Sequence, residues 1–292
     1  MNDVSKTIGW AQKTWNIISG CLGPNGTPSK PKRCPYCYAH RLAKGRLKNL
    51  YLSNLGQVSA DPNQDFENII PGGDPLDPFT PRYWPDRAIE PYKLKKPSRI
   101  FVCSMGELFG AYVPNDWINN VLDICFELPE HTFQILTKNP KKALHFGFPD
   151  NVWMGVTVTS PSDRSRVPLL LRSKAKIKFI SFEPLLGDVF DSPDLGIFSG
   201  FPYIDWVIIG AQTKPTVLPK AEWVYRIIDS AHKEGIPIFL KPNLHWGERI
   251  QEFPSGFTLH RKVEASLQPA GRIQRQSGEL SHQITDYRRQ QQ

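Results

Sequence analysis

Seven short apolar runs, each separated from the next by a longer polar or amphipathic stretch, constrain this chain more than any other feature. They are TWNIIS (14–19), RIFVCS (99–104), TFQILT (132–137), VWMGVTVT (152–159), IKFIS (177–181), IDWVIIG (204–210) and IPIFLK (236–241). Rich in Ile, Val and aromatics and only a few residues long, they have the composition of strands buried on both faces, as in a parallel sheet. Helical periodicity fills the gaps. Asn115 can cap WINNVLDICFEL (117–128), and Asp163 precedes RSRVPLLLRS, which Pro168 interrupts. AEWVYRIIDSAHKEG (221–235) puts Val224, Ile227, Ile228 and Ala231 on one face and stops at Gly235. Such β–α alternation predicts an α/β fold, either an open doubly wound sheet or a barrel. The seven runs fall one short of a full (β/α)8 barrel.

The pattern weakens in two places. Residues 51–98 hold Pro62, Pro71, Pro75, Pro78, Pro81, Pro85, Pro91 and Pro97 and read as an irregular, Pro-rich insertion within a domain of residues 1–250. Residues 251–292 are polar, with Gln and Arg prominent towards the end, and are expected to form a flexible tail. No run reaches the length of a membrane span, and MNDVSKTIGW lacks the apolar core of a signal peptide. The expected location is therefore a reducing cytoplasm, where grouped thiols point to metal binding or catalysis rather than disulfides.

Charge is concentrated at one end. Lys6, Lys13, Lys30, Lys32, Arg33, Arg41, Lys44, Arg46 and Lys48 are opposed within residues 1–50 only by Asp3, so the net +8 of the whole chain resides there. From Lys30 to Lys48 the run is free of acid. It reads either as a solvated face that balances an anionic metal site or as a landing surface for a polyanion such as DNA or RNA.

That basic segment wraps three of the five cysteines, Cys21, Cys34 and Cys37, in a C-x12-C-x2-C spacing. Cys103 and Cys125 lie in apolar runs and read as core thiols. Three thiolates leave a four-coordinate metal one ligand short. Either the fourth position stays open for chemistry, or His40 supplies it and the site is structural zinc. The place of the loop, after the first strand and before an amphipathic helix YAHRLAKGRLKNLY, favours the open site. Polar residues also recur where the apolar runs end: Glu107, Thr137 with Lys138, Thr159, Glu183, Gln212 and Lys241. In parallel α/β folds, ligands bind at the carboxyl ends of the strands.

A strand, a three-cysteine loop and a helix at the start of such a fold resemble the radical S-adenosylmethionine (SAM) superfamily. IGWAQKTWNIISGC, CPYCYAHRLAK, RIFVCSMGELF, HTFQILTKNPKK, NVWMGVTV, KFISFEPLLG and IDWVIIGAQ, in that order, are more closely similar to uncharacterised phage-encoded proteins. These are labelled phage gene-37/gene-68-like, a domain of unknown function grouped with radical SAM barrels, and the likeness runs from about Ile8 to Leu244.

The resemblance implies a partial TIM-like (β/α) barrel of mostly parallel strands. It implies a four-iron, four-sulfur cluster on Cys21, Cys34 and Cys37, with SAM at the open iron and a reducing electron donor. Reductive cleavage of SAM would then allow hydrogen abstraction from a substrate. Tyr36 matches the aromatic beside the last cysteine, and Met105-Gly106-Glu107 stands, one glycine short, where a Gly-Gly-Glu-like turn meets the SAM amino group. Thr137, Thr157 and Thr159 are the further cofactor-binding candidates, and Lys138 and Glu183 the catalytic ones. Two departures are visible. Twelve residues separate the first two cysteines where three are commonest, and Ala211-Gln212 and Lys241-Pro242-Asn243 replace the Gly-Glu and Lys-Gln-Trp of the phage proteins. The rival expectation is a zinc-stabilised, non-enzymatic nucleic-acid-binding phage protein. On either view Lys30, Lys32, Arg33, Arg41, Lys44 and Lys48 are the residues that would meet DNA or RNA.

Overall fold

All seven apolar runs enter one sheet. The computed structural model describes residues 1–54, 68–190 and 203–254. Its strands are β1 (Asn2–Asp3), β2 (Lys13–Trp15), β3 (Ile18–Ser19), β4 (Arg82–Tyr83), β5 (Arg99–Val102), β6 (Thr132–Thr137), β7 (Val152–Thr157), β8 (Ile177–Phe182), β9 (Trp206–Ile209) and β10 (Ile238–Leu240). The helices are α1 (Tyr38–Lys44), α2 (Lys48–Leu52), α3 (Asn115–Glu127), α4 (Pro140–Ala143), α5 (Arg166–Leu171) and α6 (Ala221–Lys233). Eight strands form a sheet in the order β1-β2-β5-β6-β7-β8-β9-β10, and β3 pairs with β4 apart from it. Every pairing in the large sheet is parallel except β1 with β2. The protein is thus a mixed α/β fold on a mostly parallel sheet, and that sheet is not closed.

From β2 onward the strands follow chain order across the sheet. Right-handed crossovers then place the connecting helices on one face. There α3 buries Trp117, Ile118, Val121, Leu122, Ile124 and Cys125, and α6 buries Val224, Ile227, Ile228 and Ala231. The other face closes round aromatic side chains. Parallel partners share a face, so Phe101, Gln134 and Trp153 line up on it across β5, β6 and β7, with Phe179, Trp206 and Phe239 from β8, β9 and β10. The Trp10 ring lies 4.7 Å from Phe101 and 6.2 Å from Trp206. Those residues stand four strands apart, about 19 Å on a flat sheet. One indole can touch both only if the sheet curves around it. Phe253, beyond β10, packs on Trp206 and takes the Arg99 guanidinium of β5 over its ring at 4.4 Å, so chain from both sides meets across the hollow.

Gly155 leaves room for this packing. A Cβ there would stand 2.4 Å from the Phe179 ring, which the buried neighbours hold in place. Gly155→Ala is expected to destabilise the fold by about 1–3 kcal/mol, the usual range for overpacking a core, measured as a lowered urea midpoint. An unchanged midpoint would mean that the ring can step aside.

Several sequence expectations change. The run 14–19 divides between β2 and β3, with Asn16 and Ile17 at the break. The helix expected from Tyr38 to Tyr51 breaks after Lys44, where Gly45 N–H closes onto Arg41 O, and resumes as α2. Helix α3 begins at Asn115 itself, behind Pro114, so Asn115 is its first residue and not its cap. Asp163 lies in a 3-10 turn before α5, and its carboxylate is used elsewhere. The stop at Gly235 holds, with φ +66° and its N–H on His232 O.

Of the Pro-rich insertion, residues 68–98 contribute β4 and two 3-10 turns, Pro85–Arg87 and Pro91–Lys93. Buried Arg82 donates to the carbonyls of Pro75, Asp77 and Thr80 and so holds the loop beside the cysteines. Residues 55–67 lie outside the described residues. Leu240 N donates to Ile250 O and Glu252 N to Ile238 O, which carries the pairing past residue 250, and residues 255–292 lie outside the described residues. Among the described residues no helix is long and apolar enough to cross a membrane.

Candidate functional site

Glycine geometry turns the chain at the end of β3. Gly20 has φ +87° and no room for a side chain, since a Cβ would lie 2.4 Å from Thr80 O. Gly23, also at φ +87°, would place one 1.7 Å from Lys32 O. These two positions let the loop fold back on itself. Lys32 N donates to Leu22 O (2.7 Å) and Arg33 Nε to Cys21 O (3.1 Å), which returns Cys34 to the neighbourhood of Cys21 across twelve intervening residues. Cys37 N then donates to Cys34 O, and Cys37 becomes the N-cap of α1.

Two of the sulfurs accept backbone N–H groups: Cys21 from Gly23 (3.1 Å) and Cys37 from His40 (3.4 Å). Burial pushes the Cys21 thiol up to about 12, with the Glu107 carboxylate adding to the effect, and burial also raises Cys37. Lys138 opposes the rise at both, while the Cys37 charge acts on Cys21 and the Cys34 charge on Cys37. None of the five cysteines is in a disulfide. In chemistry the set fits a thiolate-bound metal or cluster, because coordination removes the protons that burial retains. In geometry the sulfurs share one fold of the loop but must draw together on a ligand: among the described residues no three His, Cys, Asp or Glu side chains are already gathered to metal-binding distance. His40 faces other company. Its ring packs on Phe79 at 5.3 Å, and burial together with Arg33 and Lys44 lowers its pKa.

The turn after β5 abuts this loop. Cys103, with φ +56°, begins it, and Asn16 Oδ1 accepts from Ser104 Oγ and Met105 N. Gly20 N donates to Met105 O and Glu107 N to Gly20 O, so Gly106 lies flat against the backbone leading to Cys21. The Glu107 carboxylate accepts from Thr137 Oγ1 (2.6 Å), Lys138 N (2.9 Å) and Phe109 N (3.2 Å). Glu107 and Thr137 are thus engaged with each other, and Glu107 shares a small pocket with Cys21, Gly23 and Tyr112.

Lys138, at the end of β6, holds its ammonium 5.9 Å from the Tyr36 ring centroid. Burial raises the Tyr36 pKa, and the Cys34 charge adds to the rise. Thr159 donates through N and Oγ1 to Asp163 (2.9 and 2.7 Å), which pairs with Arg166; Arg166 also donates to Thr157 O. Asp163 and Arg166 therefore fix the end of β7 against the turn before α5.

Glu183 and Lys241 form an ion pair across β9. Gly210 lies between them, and a Cβ there would stand 3.0 Å from Glu183 Cγ and 3.1 Å from Lys241 Cδ. Beneath Glu183 on the same face, Ser181 Oγ is buried without a hydrogen-bond partner. Asn243 clamps the Ala211 backbone through both ends of its amide, coupling the ends of β9 and β10. Burial of its hydroxyl raises the Tyr38 pKa, and the Glu183 and Cys37 charges add to the rise. The candidates therefore gather at the carboxyl ends of β5 to β10, beside the cysteine loop.

The basic residues divide. Arg33 is ion-paired with Asp77 and holds Cys21 O, so it belongs to the loop and not to an open surface. Arg41 donates to Thr213 O in the segment after β9. Lys30, Lys32, Lys44, Arg46 and Lys48 are exposed, with no ion pair among the described residues. Sequence reasoning passed over Asn16, Asp77, Asp163 and Gly210, which position these groups. Asn16 offered a signal, a polar residue inside an apolar run, and Asp163 one only as the residue before a helix; Asp77 and Gly210 act through partners distant in sequence.

Residues 5–282 match the family model described as "Protein of unknown function (DUF5131)". No curated protein and no solved structure matches the chain.

Proposed function

Because the chain belongs to the DUF5131 family, whose function is unknown, we propose a function from the site itself: a radical SAM enzyme with a four-iron, four-sulfur cluster on Cys21, Cys34 and Cys37. The observation that carries this reading is the return of Cys34 to Cys21 at the carboxyl edge of the parallel sheet, beside Glu107 and Lys138. A purely structural metal has no need of that edge. Sequential strand order and a hollow plugged by Trp10 near the strands' amino ends support a partial (β/α) barrel, open at the opposite mouth. The resemblance to phage-encoded proteins and to radical SAM barrels belongs to the same reading.

The bound cluster would supply an electron for reductive cleavage of SAM. The chain's own residues do the rest. Gly106 brings backbone close to the thiols, and Glu107 fixes the ends of β5 and β6 relative to each other. Tyr36, Thr157 and Thr159 form the wall against which SAM would lie, Thr137 holds the Glu107 carboxylate at its edge, and Lys138 and Glu183 bring charge to the mouth. Burial of this wall excludes water that would quench a radical. An electron donor, a reducing cytoplasm and a polyanionic substrate, DNA or RNA, complete the proposal.

Anaerobic reconstitution with iron and sulfide, followed by dithionite and SAM, tests it. Expected are a brown protein with about four irons per chain and release of 5′-deoxyadenosine. One zinc per chain, no iron and no SAM cleavage would sink the reading in favour of a structural zinc protein.

A further inference from the structure

We propose that the rim beside the cysteines binds single-stranded nucleic acid, with an unpaired base stacked on Tyr38 and the phosphates following Lys30, Lys32, Arg41, Lys44 and Lys48. This deepens the reading above by naming the form of the substrate. Binding requires no cofactor, however, so the two ideas can fail separately.

Tyr38 carries the inference. It opens α1, immediately after Cys37, and its hydroxyl donates to Ser104 O, yet the residue remains 43% exposed. An exposed aromatic is common and by itself signifies little. This one is anchored at its tip and open along its flank, so stacking on it costs little further ordering. Its neighbours on the helix supply the rest. Ala39 and Ala43 face the core, while Tyr38, Arg41 and Lys44 follow one another at i, i+3 spacing along the exposed side. Lys48 opens α2, and Lys30 and Lys32 are exposed on the cysteine loop that leads into α1.

Among the described residues no acid is ion-paired with Lys30, Lys32, Arg41, Lys44 or Lys48. Asp3 is the one acid among residues 1–54 and is paired with Lys13, and Asp77 is taken by Arg33. A block of uncompensated cations attracts a polyanion whatever its sequence. A fixed aromatic within that block selects a strand whose bases are unpaired, because a duplex keeps its base faces stacked internally. Tyr38 follows Cys37 directly and its hydroxyl is held by Ser104 O in the turn after β5, so a base held there lies beside the cysteine loop.

Fluorescence anisotropy with a labelled 12-nucleotide single strand, its duplex and inorganic polyphosphate as competitor tests the proposal on the full chain, with and without reconstituted cluster. The single strand is expected to bind more tightly than the duplex. Tyr38→Ala should weaken single-strand binding tenfold or more without changing the salt slope, and Tyr38→Phe should retain most of the affinity. Lys44→Ala with Lys48→Ala should flatten the log–log salt slope by about 1.4, at about 0.7 per phosphate contact on a single strand. Circular dichroism checks the fold, and if Tyr38→Ala does not fold, the lysine pair still decides the electrostatic half and Tyr38→Leu the stacking half. A salt slope near zero, a duplex bound as tightly, polyphosphate displacing the strand at equal charge, or full affinity in both Tyr38→Ala and Tyr38→Leu would overturn it. Strand binding without cluster formation overturns only the enzyme reading.

Discussion

Replacing Cys21, Cys34 or Cys37 by Ala is expected to abolish iron and sulfide retention after anaerobic reconstitution, whereas Cys103→Ala and Cys125→Ala retain both. The difference follows from where the thiols lie. The first three share a loop whose backbone bonds return Cys34 to Cys21 and whose N–H groups already point at two of the sulfurs. Cys125 is fully buried in α3, on the helix-covered face of the sheet, and Cys103 is buried at the start of the turn after β5, its thiol pushed up to about 12 by burial. A cluster held by three thiolates has none to spare, so each loss should remove the visible absorbance rather than shift it.

Folding must be separated from ligation in this experiment. Cys37 is also the N-cap of α1, and losing a cap costs about 0.5–2 kcal/mol. Cys37→Ser keeps a capping acceptor and removes the soft ligand, so it should fold like the parent and still bind no iron. Iron retained by Cys21→Ala, or lost from Cys125→Ala with the fold intact, would reassign the ligands.

Strand positions were legible because each apolar run is self-sufficient as a signal: a few Ile, Val and aromatic residues between polar stretches. The parallel pairing and much of the candidate site followed, since strand ends are fixed once strands are fixed. What stayed hidden depends on partners far along the chain. Strand β1 is two polar residues, Asn2 and Asp3, that exist as a strand only because Thr14 and Lys13 pair with them. The break after Lys44 overrides a helical pattern that continues to Tyr51, because Leu47 N turns back to Leu42 O. Arg33 looked like one more surface cation, yet Asp77, forty-four residues on, takes it inside the loop. Lys241 was visible as a strand end, but its pairing with Glu183 depends on the absence of a side chain at Gly210.

Glu107 has partners within the chain that its place in the sequence does not disclose. The resemblance to the radical SAM superfamily implies that it meets the SAM amino group. In the fold it accepts hydrogen bonds from Thr137 Oγ1, Lys138 N and Phe109 N, joining the ends of β5 and β6. Glu107→Ala is therefore expected to lower stability by about 3 kcal/mol, given roughly 1.5–3 kcal/mol for each hydrogen bond to a charged group, discounted for partial exposure. Thr137 is buried, so its hydroxyl hydrogen would lose its acceptor outright. Glu107→Gln should fall between, because one carboxylate oxygen becomes an NH2 facing an N–H or O–H donor. Thr137→Val should cost less than Glu107→Ala, and the two together less than their sum, since they break one shared bond. Urea unfolding reads the stability, and calorimetric titration of the reconstituted protein with SAM reads the site. If the carboxylate acts by holding the two strand ends, stability and SAM affinity fall together. Affinity falling while stability stays within about 0.5 kcal/mol, the range of an ordinary surface substitution, would instead make Glu107 a direct ligand that exchanges its own chain's donors for those of SAM.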